Sequence, residues 1–106
     1  MPEAGSQRLS FAGTLTLQDS AALKDAILTR WSAGGGVELD LAAVSEAHFS
    51  IVQVVEAARR SAASGDREFR LAAPVSEAVR SLAVRAGLSG TPDGAEFWNG
   101  REGAGE

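Results

Sequence analysis

The stretch Val37–Arg60, VELDLAAVSEAHFSIVQVVEAARR, decides how the rest of the chain is read. Val37, Leu39 and Leu41 alternate with Glu38 and Asp40, the period-two pattern of a strand with one buried face. From Ile51 the period changes: Ile51, Val54, Val55, Ala58 and Ala62 fall on one helical stripe, and Gly65 ends it. The polar passage Ser45–Ser50 lies between them. A strand that runs through a short loop into a helix puts that loop at the carboxyl edge of a sheet. There the helix-start N–H groups face outward, and function tends to collect on such loops.

Upstream, Leu9 and Phe11, then Leu15 and Leu17, repeat at period two, which predicts two short strands bent at Gly13. Asp19 or Ser20 can cap the next segment, where Leu23, Ala26, Ile27 and Trp31 share one face. That helix stops before Gly34-Gly35-Gly36, read as a turn because a phosphate-binding loop would continue as Gly-Lys-Ser/Thr into a helix, whereas a strand follows here. Downstream, Phe69–Ala73 alternates as a short strand closed by Pro74. Ser76 is placed as the N-cap of a helix with Val79, Leu82, Ala83 and Ala86 inward and Gly87 as its C′ residue. Phe97-Trp98 are two large apolar residues in a Gly-rich tail, expected to pin it to the body as a short edge strand.

This order gives an α/β domain with a mixed sheet of about four to five strands, the later ones parallel, and helices covering mainly one face. Residues 1–7 are assigned to a flexible N-terminus, 8–90 to the domain and 91–106 to the C-terminal tail. At 106 residues the chain is one domain's worth. A net charge of -4 speaks against nucleic acid or an anionic membrane surface, which need a basic footprint. The chain has no cysteine, so thiolate chemistry is excluded. The sequence shows no leader-like apolar stretch at its start and no run near the ~20 apolar residues of a membrane helix, giving an expectation of a cytoplasmic protein without membrane insertion.

For catalysis the pattern is poor. His48 is the only histidine, which precludes a multi-histidine metal site, and no nucleophile elbow accompanies it. Glu38 and Asp40 lie on the polar side of the strand with nothing to split their pKa values. Arg59-Arg60 reads as a solvated helix end. No enzyme activity, metal or cofactor is expected.

With these elements placed, the chain resembles the STAS domain (sulphate transporter and anti-sigma factor antagonist) over about Leu9–Leu88. The residues that carry the resemblance are Leu15-Thr16-Leu17 leading into Ala21-Ala22-Leu23, the strand Val37–Leu41, the helix opening Val52-Gln53-Val54-Val55 continuing to Ala57-Ala58-Arg59-Arg60, and Phe69–Pro74 before the helix closed by Gly87-Leu88. The resemblance implies a non-enzymatic module that binds a protein partner through the loop and helix after the central strand. Ser45, Glu46, His48, Phe49, Ser50, Val52, Gln53 and Glu56 are then the partner-binding residues.

In anti-sigma factor antagonists that helix opens with an acidic residue, a phospho-accepting serine or threonine, a small residue and glycine. Here His48, Phe49, Ser50 and Ile51 stand at those positions, so the acceptor is missing. Phosphorylation would act by adding about two negative charges at a helix start, and phenylalanine cannot take them. Ser50 is the possible phosphorylation site, but Ser50-Ile51-Val52-Gln53 also reads as a capping box, which we favour. Phe49 is either a staple tucked under the loop or an exposed anchor. The resemblance implies partners of three kinds: an anti-sigma kinase, a chemotaxis kinase, or the ATPase of a lipid-transport ABC system whose small cytoplasmic subunit is STAS-like. The chain itself is expected to be a monomer or weak dimer.

Overall fold

A computed structural model describes residues 7–65, 67–88, 90 and 92–98. In chain order the elements are β1 (Gln7–Leu15), α1 (Leu17–Ser32), β2 (Val37–Ala47), α2 (Phe49–Gly65), β3 (Phe69–Leu71), α3 (Glu77–Arg85) and α4 (Pro92–Trp98). β2 is the central strand of a three-stranded sheet of order β1-β2-β3, and both pairings are parallel. Each strand therefore returns through a helix, as a parallel pair requires.

Two expectations about the sheet need correction. Among the described residues it has three strands rather than four to five, and it is wholly parallel rather than mixed. The residues from Leu9 to Leu15 form one strand, not two. Gly13 takes a positive φ of 74° but the pairing continues past it. Register shifts between Ser10 and Ala12 and between Gly13 and Thr14 leave the nine residues of β1 opposite the eleven of β2. The surplus on β2 also explains why its end was read as loop. Buried positions run Val37, Leu39, Leu41 and then Val44, so the alternation is lost at an irregularity while the strand itself continues to Ala47.

Gln7, assigned from the sequence to the N-terminal segment, already pairs with Val37. The rest of that expected flexible segment and the tail beyond Trp98 lie outside the described residues. The described end of the chain, Pro92–Trp98, is helical where an edge strand was expected.

The helix boundaries follow their caps. α1 starts one turn earlier than expected, because Thr16 is its N-cap. The Asp19 carboxylate accepts from the Thr16 backbone N–H at 2.6 Å and from its hydroxyl at 3.0 Å, an arrangement of the capping-box type. Gly87, with φ 78°, closes α3 in a Schellman turn: the Leu88 N–H donates to the Ala83 carbonyl and the Gly87 N–H to that of Val84. Ser76 caps the same helix, its hydroxyl accepting from the Val79 N–H at 3.3 Å.

One face of the sheet meets the helices. Val37, Leu39 and Leu41 pack there with Leu23 and Ile27 of α1, Ile51, Val55 and Ala58 of α2, and Val79 and Ala83 of α3. The α2 stripe is wider than its spacing suggested, since Val52 is fully buried while Val54 is only half-buried. On the opposite side of β2, Glu38 sits between Arg8 (3.9 Å) and Arg70 (3.1 Å), charged residues of the flanking strands in register with it. Exposed pairs of this kind contribute ~1 kcal/mol or less each, so the sheet is held from its apolar side.

Candidate partner-docking edge

The parallel strands deliver the starts of α1 and α2 to one edge. Leu15 and Ala47, the last residues of β1 and β2, are register partners, and the His48 N–H donates to the Leu15 carbonyl at 2.8 Å. Only His48 separates β2 from α2. Its ring does the capping expected of Ser50: Nδ1 accepts from the Ser50 backbone N–H at 3.0 Å and lies 2.9 Å from the Ser50 hydroxyl. Because a backbone N–H donates to Nδ1, that nitrogen carries no proton. The ring is thus the Nε2–H tautomer, and the hydroxyl donates to Nδ1 as well. Ser50 lies inside the first turn of α2 rather than before it.

Phe49 is 42% exposed at the helix start, so it is not a buried staple. Leu17, the first residue of α1, is 58% exposed. Each stands two residues beyond one of the paired strand ends. Ser45, Glu46 and Gln53 are also exposed, and Ser50 is half-buried. A groove of about 530 Å³ runs along this edge between the strand ends and α3, lined among others by Leu17, Glu46, His48, Leu82 and Arg85. A second groove, about 350 Å³ and largely apolar, follows the α1–α2 seam past Ser50, Gln53, Val54, Leu28 and Trp31.

Leu17 was missed by sequence reading, which took it as a strand residue. The Thr16-x-x-Asp19 spacing is a capping signature and would have placed Leu17 at a helix start.

Two residues expected to meet a partner present no free surface. Val52 is wholly in the core. Glu56 is 7% exposed, and its carboxylate is already filled. Arg59 donates to it through Nε (3.0 Å) and Nη2 (2.5 Å), Arg60 through Nε (2.8 Å), and Trp98 of α4 through its indole N–H (2.9 Å). Burial by itself would raise the Glu56 pKa, but the bonds from Arg59, Arg60 and Trp98 and the Arg59 charge outweigh it and hold it at about 2. Arg59 is therefore part of a buried cluster, not of a solvated helix end.

α4 reaches this cluster with two adjacent aromatic residues. Trp98 is 0% exposed and is the largest fully buried side chain. Phe97 stacks on Phe69 of β3 at 5.8 Å, and the Arg59 guanidinium lies over the Phe97 ring at 5.9 Å from its centroid. Trp31 meets Phe69 edge-on at 6.1 Å. Among the described residues no three His, Asp or Glu side chains gather as metal ligands, and no helix is long and apolar enough to cross a membrane.

A parallel three-stranded sheet with helices on one face, and with Leu17 and Phe49 exposed where two of those helices start, defines a small α/β domain. The chain belongs to the STAS family: the family model described as "Mlab, STAS domain" matches residues 3–93. The wider STAS group includes anti-sigma factor antagonists and transporter-associated domains, which are generally non-enzymatic binding modules. No curated protein matches the chain significantly.

Proposed function

We propose that the chain is a non-enzymatic regulatory module of the cytoplasm that resembles an anti-sigma factor antagonist and binds a kinase-type protein partner without the usual phospho-switch. The observation that carries this reading is Phe49, a large apolar side chain left 42% exposed at the helix start, in the position where the resemblance implies a phospho-acceptor. Exposed aromatics at such sites are effective anchors. His48, Ser45, Glu46, Ser50 and Gln53 surround it, and Leu17 adds a second apolar contact from α1.

Ser50 serves α2 by donating to His48 Nδ1, which supports a structural role for its hydroxyl. Calorimetric titration of wild type and Phe49→Ala against candidate partner kinases tests the reading. Binding should fall by at least tenfold in the variant while its thermal stability stays near wild type. Unchanged affinity would remove Phe49 from the interface, and stoichiometric phosphate on Ser50 after incubation with kinase and ATP would restore the switch.

Because the STAS family also includes transporter-associated domains, the resemblance supports a second reading, the small cytoplasmic subunit of a lipid-transport ABC system. The same edge would then contact the transporter ATPase. Stable co-purification with a nucleotide-binding subunit, lost in Phe49→Ala, would select this reading over the first.

A further inference from the structure

The cluster under α4 has the composition of a recognition site. A tryptophan sits in a fully desolvated pocket with its N–H on a buried carboxylate, beside a phenylalanine stacked on another ring and near a guanidinium. Energetic hot spots of protein interfaces are built from these residue types in this degree of burial. We propose that Glu56 and Arg59 of α2 with Phe69 of β3 form a binding site for a peptide segment carrying an aromatic residue followed by tryptophan, and that α4 is its tethered, displaceable occupant.

Three observations support a displaceable occupant over a plain piece of core. The family model ends at residue 93, before Phe97 and Trp98, so the residues that fill the site lie beyond the part of the chain that defines the family. The body is closed ahead of them by the Schellman turn at Gly87. Finally, Glu56 keeps Arg59 and Arg60 when the indole leaves, so opening does not strand a buried charge.

The site lies one turn along α2 from Phe49–Gln53 and does not depend on how that edge is used. Only the few residues from Leu88 to Pro92 connect α4 to the body, and a short tether holds a ligand at an effective concentration on the order of millimolar. A partner with the same aromatic pair must overcome that advantage, so the tail acts as an intramolecular competitor.

The test uses the full chain and a synthetic peptide of residues 90–99 as probe. Phe97→Ala/Trp98→Ala should bind the peptide saturably, at least tenfold more tightly than wild type, whose site is filled. A peptide with alanine for its tryptophan should not bind. No binding by the folded double variant, or equal binding by both chains, overturns the proposal. Native-state hydrogen exchange on the wild-type chain decides the matter should the double variant fail to fold. Residues 92–98 exchanging through an opening that leaves β2 protected supports a displaceable helix, whereas exchange only through global unfolding overturns it.

Discussion

Trp98→Ala tests how much of the domain rests on α4. The side chain is 0% exposed, and truncating a buried tryptophan typically costs about 3–5 kcal/mol in transfer and cavity terms. A hydrogen bond to a charged group is also removed, but its acceptor, Glu56, keeps two arginines, so the further penalty of an unsatisfied buried carboxylate is not incurred. If the helix detaches in response, the Phe97–Phe69 stack goes too, worth about 0.5–1.5 kcal/mol beyond its area.

The expected loss is then about 4 kcal/mol, a large share of the 5–15 kcal/mol typical of a domain. It corresponds to a fall in Tm of about 15–30 °C for a chain of this size. Urea unfolding followed by circular dichroism and by fluorescence measures it directly. Trp31 remains as the reporter, since the chain has only two tryptophans. Trp98→Phe keeps part of the aromatic surface and loses the N–H, and should cost about 1.5–3 kcal/mol, the range for one hydrogen bond to a charged group. A Trp98→Ala chain within about 1 kcal/mol of wild type would refute the desolvated, hydrogen-bonded seat given to the indole.

Other expectations follow from the same geometry. Glu56 has a folded-state pKa of about 2, below its ordinary value of 4.5, so its contribution is complete above about pH 4.5 and is lost as pH falls towards 2. The contribution is up to about 3 kcal/mol; in Glu56→Gln the urea midpoint should fall less steeply over that window, and an unchanged acid slope would remove Glu56 as its source. His48→Ala deletes the ring that accepts the Ser50 N–H and should destabilise by about 1 kcal/mol, the usual cost of losing an N-cap, read as a midpoint shift at constant m-value. Gly87→Ala forces a Cβ into φ 78° at the end of α3 and should cost about 1–2 kcal/mol although open space surrounds the position; a neutral substitution would contradict the Schellman closure.

Much of the fold was legible because its signals are local. The alternation of Val37, Leu39 and Leu41, the stripe Ile51, Val54, Val55, Ala58 and Ala62, the Ser76 cap and the Gly87 stop each lie within one element, and all but the half-buried Val54 correspond to buried or capping residues. Errors came where tertiary contact overrides a local pattern. The irregular pairing of β2 against β1 broke its alternation, so a strand end was taken for a loop. Val52 and Glu56 were expected to meet a partner because the family resemblance implies it, and nothing near them in sequence reveals what covers them. Trp98, the partner of Glu56, is 42 residues away. At the candidate edge, the sequence placed Phe49 at the helix start, but only the fold could decide between a buried and an exposed ring.

The separation between Glu56 and Trp98 also has a meaning in time. A ribosome adds about 5–20 residues per second, so roughly 2–8 s pass between the synthesis of the carboxylate and that of the indole that completes its shell. Arg59 and Arg60, by contrast, follow within four residues. The two arginines are therefore positioned to hold the nascent α2 together electrostatically while the strand β3 and the helix α3 emerge, and the Phe97–Trp98 pair is the last part of this cluster to be made.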